Sequence, residues 1–231
     1  MRFCLTIIFY FCGLSITNAD SPLTSIKFWD LSNDCFVEEI GKIPGKKRLS
    51  QSVFDYLMND QNTIIDRYAL INALGWEFKS EIRNSDLFLQ FLQERFKKEI
   101  TEFYQISSSL SELGHNKKSL IKSFIETKLN CEYSLIYDYL FALDDYLNLD
   151  SSDFILLDNS EGYLMDIPSS FIKTIIEAHI NFLNMNFESI SKNYVQVNTV
   201  DFGSSTLYNK INSRVVEYID IYNRTKYTYC Q

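Results

Sequence analysis

Apolar residues in this chain recur at intervals of three and four, and almost nowhere at intervals of two. That spacing lines them along one side of a 3.6-residue helix. Only three prolines and seven glycines punctuate 231 residues, so little interrupts such elements. The pattern predicts an all-α fold: about eight or nine helices packed as a bundle or short two-layer array.

Local signals place the elements. A first helix is expected from near Ser32 to Ile43, stopped by Gly41, Pro44 and Gly45. Ser50 is a cap for a short second helix carrying Val53, Phe54 and Leu57. Asn62 or Thr63 caps a third, with Gly75 just past its end. Asn84 or Ser85 opens a long fourth helix running through Phe96 to Phe103. A loop is expected at 107–118, then helices at about 119–129 and 132–149. Asp150 to Asp153 resembles a cap for a short helix at 154–157. A long helix follows from Pro168 or Ser169 to about Lys192, then one candidate strand at 194–200 and a last helix to Tyr222. No segment has the length and Pro/Gly content of a free tether. One domain over 20–231 is expected.

Residues 1–19 read as a cleaved secretory signal. Arg2 supplies the positive end, Phe3 to Ile16 is almost wholly apolar, and Thr17-Asn18-Ala19 offers small residues before Asp20. The apolar run is shorter than the about 20 residues a membrane span needs. A secreted or periplasmic protein that is not membrane-embedded is expected.

Without the signal, 21 basic residues face 30 acidic ones, a net charge of −9. Nucleic acids need a positive surface that displaces counterions, so they are set aside as partners. Cys35, Cys131 and Cys230 remain after cleavage. An oxidising compartment would pair two of them and leave one, or link two chains as a disulfide dimer. Asn223-Arg224-Thr225 is a glycosylation sequon, relevant only in a eukaryotic host. No Cys or His cluster implies a metal, and no motif implies a cofactor.

The stretch "SLIYDYLFALDDYLNLDSSD", 134–153, concentrates aspartates among aromatics. On a helical wheel, Asp138, Asp144 and Asp145 share the arc opposite the main apolar stripe, which predicts a solvated face. Asp144 and Asp145 point about 100° apart and do not converge as metal ligands must. Tyr137 and Phe141, four residues apart, stand on that acidic side. They read either as a second packed stripe or as an interface with a partner protein.

In the helix after Pro168, His179 falls inside an apolar stripe and Asn186 lies nearly in line with it. His179 reads as a hydrogen-bonded boundary histidine or, with Asn186, as a polar niche serving as an acid/base or a ligand contact. His115 falls in the 107–118 loop. No nucleophile, Walker or Rossmann pattern occurs.

These features favour an exported helical protein that binds another protein without catalysis. A carrier of an apolar small molecule, with His179 and Asn186 at the ligand's polar end, is the alternative. A hydrolytic enzyme comes third.

Overall fold

The computed structural model describes residues 27–77, 81–108, 117–146, 148–149, 154–155 and 167–184. The architecture is all-α. A 3-10 turn (Phe28–Leu31) precedes α1 (Cys35–Lys42), α2 (Gln51–Leu57), α3 (Ile64–Leu74) and α4 (Asn84–Arg95). Then come α5 (Lys97–Ser108), α6 (Lys117–Lys128), α7 (Cys131–Asp144) and α8 (Ile167–Leu183). Among the described residues there is no strand, and no helix is long and apolar enough to cross a membrane.

Local chemistry sets four of the starts among the described helices. Asp34 accepts from the Phe36 and Val37 amides, Ser50 from Val53, Thr63 from Asp66 and Asn130 from Tyr133, each satisfying a donor that the first helical turn leaves open. Gly75 ends α3 at φ 73°, a conformation that costs a side-chain-bearing residue and not glycine.

The helices share one apolar core. Its centre is α7, which packs against α3, α4, α6 and α8. From Tyr133 to Leu143 every α7 residue is buried. Leu70, Ile71 and Leu74 of α3, Phe88 and Leu92 of α4, and Ile172, Ile175 and Ile176 of α8 complete that centre. Carrying such a side chain fully out of water is worth roughly 1.5–3 kcal/mol.

Four expectations are corrected. The helix expected to run unbroken from 84 past 103 is two, because Phe96 leaves helical geometry at φ −109°, ψ 31°. The bend lets Phe96 and Phe103 both pack on Phe124 of α6, with ring centroids 5.9 and 5.8 Å away. Neither Asn84 nor Ser85 caps α4; both are buried inside its first turn, and Arg83 at the cap position offers no side-chain bond. Gly41 does not stop α1 but lies within it. Phe154 and Ile155 are not helical; both are buried, and the Ile155 amide donates to Asp138.

The signal (1–19), the strand at 194–200, the helix ending near Tyr222, and His115, Asn186, Asn223 and Cys230 lie outside the described residues. So does most of the 107–118 loop, although α5 reaches Ser108 and α6 begins at Lys117.

Candidate functional site: a cleft between two tryptophans

Residues 43–49 cross the end of α3 as an extended strap. Its backbone is held residue by residue. The Lys46 amide donates to Glu77 (3.3 Å) and the Lys47 amide to the Leu74 carbonyl (2.7 Å). Buried Asn84 clamps the strap from the other side. Its Nδ2 donates to the Lys47 carbonyl (2.9 Å) and its Oδ1 accepts from the Leu49 amide (2.8 Å). Gly45 (φ 74°) and Gly75 (φ 73°) meet where strap and helix cross; a Cβ on Gly75 would stand 3.2 Å from the Gly45 carbonyl oxygen. Only glycine suits both the torsion and the approach.

The strap is also pinned by charge. The Lys46 ammonium reaches Asp144 at 2.6 Å with both side chains essentially out of water. The other oxygen of Asp144 accepts from the Ser85 amide and hydroxyl, both at 2.7 Å. Asp144 of α7 thus supplies the cap that α4 lacks, at the helix end where a negative charge is favoured. Beside it, Arg83 grips Asp145 with two bonds (3.0 and 2.5 Å) and reaches Asp86 at 3.2 Å, and Asp86 takes the Lys118 ammonium at 2.7 Å. The two-pronged Arg83 contact holds the Asp145 carboxyl below its usual range.

The expected solvated acidic face is therefore corrected. Asp138 and Asp144 are buried and Asp145 is ion-paired. The wheel assumed a helix with one wet side, whereas α7 is surrounded. Among the described residues no group of three or more His, Cys, Asp or Glu is placed to hold a metal.

Beneath the strap opens a cleft of about 260 Å³. Both tryptophans of the chain line it, Trp29 from the 3-10 turn and Trp76 just after α3. Lys27, Ile43, Lys47, Asn72 and Leu143 contribute to its walls. Trp29 lies flat on α1 at Gly41, where a Cβ would stand 2.3 Å from the indole; that is the role of a glycine within α1. Trp76 stacks on Tyr146 (5.0 Å, 34°), and Tyr146 stacks on His179 (4.3 Å, 22°). Ile43, with Tyr104 one of two exposed large hydrophobic residues among those described, is half exposed (50%) at the rim.

The residues singled out from sequence fall elsewhere. His179 is fully buried; its Nε2 donates to the Tyr146 carbonyl at 2.8 Å, because a carbonyl can only accept. Burial lowers its pKa to about 4, so the imidazole is neutral. It supports the aromatic column behind Trp76. Tyr137 and Phe141 are not an exposed pair. They are buried and stacked (6.1 Å, 22°), with Phe154 edge-on to Phe141 and the Lys122 ammonium 5.1 Å from the Tyr137 ring centre. The covering of α7 by α6 accounts for this: of the two readings, burial favours the second packed stripe over the partner interface. Cys35 is exposed and, among the described residues, free, and Cys131 opens α7.

Fold and cleft together define a class: an all-helical protein with a tryptophan-walled surface cleft under a strap that one buried ion pair, Lys46–Asp144, holds in place. No protein-family model matches the chain, and no curated protein or solved structure matches it. The functional reading therefore rests on its own residues.

Proposed function

We propose that the protein is an exported, non-catalytic binding module that engages another protein at the Trp29–Trp76 cleft. One observation carries this reading: the chain's two tryptophans meet at a single surface opening whose rim bears the half-exposed Ile43. Tryptophan concentrates at the centres of protein interfaces, where a large rigid ring fills a partner's surface. At about 260 Å³ the cleft falls below the about 300–1,000 Å³ typical of small-molecule sites. It suits one anchoring side chain of a larger partner better than an entire ligand. The export half of the proposal rests on residues 1–19 as a signal sequence.

The apolar-carrier reading placed a ligand's polar end at His179. That imidazole is committed to Tyr146 through both its ring and its Nε2, which is why the cleft takes precedence.

The test is a pull-down from the protein's own extracellular or periplasmic fraction, with the wild-type chain and Ile43→Asp as baits. Ile43 is exposed enough for the substitution to leave the fold intact, which circular dichroism checks. A partner retained by wild type and lost by Ile43→Asp supports the proposal. Equal retention by both baits, or no partner at all, contradicts it.

A further inference from the structure

We infer that the anchor received by the Trp29–Trp76 cleft is a carboxylate-bearing side chain, Asp or Glu, beside an apolar residue of the partner, and that the Lys47 ammonium is its counter-ion. The inference rests on the protein-binding reading and deepens it.

Lys47 differs from the other partly or fully buried cations of the frame. Lys46 holds Asp144, Arg67 holds Glu132, Arg83 holds Asp145, and Lys118 holds Asp86. The half-buried Lys47 ammonium donates to the Ala73 carbonyl at 2.8 Å, and among the described residues no carboxylate lies within ion-pair reach of it. One carbonyl leaves two of the three ammonium donors for other partners. Burial lowers its pKa, the signature of a charge that has lost water without gaining an anion.

The acids nearest in the chain do not supply that anion. Glu77 lies against Gly45, takes the Lys46 amide and is otherwise exposed. Asp30, in the 3-10 turn beside Trp29, is also exposed. A carboxylate entering the cleft would meet the ammonium between two indole walls, with Lys27 as a second cation at the lining. The Lys47 side chain is half-buried there, so the pair is screened less than one on open surface. The rest of the surface is acidic overall, but at physiological salt its repulsion fades beyond roughly 8 Å.

A random dodecapeptide library displayed on phage, panned against the full chain, tests this. Synthetic copies of the selected sequences are counted only if they shift the tryptophan emission, since both tryptophans line the cleft. The expected selection is enriched in Asp or Glu next to an aliphatic or aromatic residue. Exchanging that acid for its amide should weaken binding roughly tenfold or more, the scale of a charge-assisted hydrogen bond. Lys47→Met should lose the preference for acids, and Lys47→Arg should keep it. Circular dichroism and the thermal midpoint of both variants verify the fold. Peptides without acidic enrichment, or an unchanged preference in Lys47→Met, overturn the inference and leave the protein-binding reading standing. No peptide that shifts the emission overturns both.

Discussion

Helices α1 and α7 treat the same residue type in opposite ways. In α1 a single residue, Val37, is fully buried, and its acid Glu38 pairs with Lys42 in open solvent. In α7 nearly every side is covered, and its acids point into neighbouring elements. Asp138 holds the Ile155 amide, Asp144 joins the strap to α4, and Asp145 holds Arg83. A polar residue opposite an apolar stripe marks solvent only where the helix has a wet side. In a surrounded helix it marks a connection.

The largest effect expected from that contrast is at Asp144. Asp144→Ala leaves Lys46 buried without its anion and the Ser85 amide without an acceptor, which should cost about 3–5 kcal/mol in chemical unfolding. A loss no larger than that of an exposed acid would erase the distinction between the helices.

Next is the acid sensitivity of the column behind the cleft. His179 has a folded pKa of about 4 against 6.5 unfolded. The unfolded chain takes up the proton first, so stability is intact above pH 6.5 and falls between 6.5 and 4. The fall should approach about 3 kcal/mol from this group, at about 1.4 kcal/mol per pH unit. His179→Gln should flatten the profile in that window, and parallel wild-type and variant profiles would contradict the burial.

Asp138→Ala should cost about 1–3 kcal/mol, because it orphans a buried amide at Ile155. Asp138→Asn, which keeps a carbonyl acceptor, should recover part of that loss. The smallest effect belongs to α1: Glu38→Gln should leave the denaturation midpoint unmoved, since an exposed pair four residues apart is screened by water.

What was legible in the sequence follows from range. The Ser50 and Thr63 caps act on amides within three residues, so the local pattern announces them. The tie from Asp144 to Lys46 spans 98 positions and that to Ser85 spans 59; no periodicity connects them. The cleft was hidden for the same reason, since Trp29, Lys47 and Trp76 come from separate segments. A signal was present in Gly41, Gly45 and the Gly75-Trp76 step. Read only as helix stops, these glycines concealed a place where backbone and indole come unusually close. The all-helical fold needed no such contacts, because apolar spacing alone carries it.

The most direct test of the account is a double-mutant cycle on Lys46 and Asp144, read by chemical denaturation. Lys46→Met and Asp144→Leu singly should each destabilise strongly, while the double variant should lie closer to wild type than their sum, with a coupling of about 2 kcal/mol or more. A coupling below about 0.5 kcal/mol, as between charges facing water, would contradict the claim that α7 turns its aspartates inward to hold the strap over the cleft.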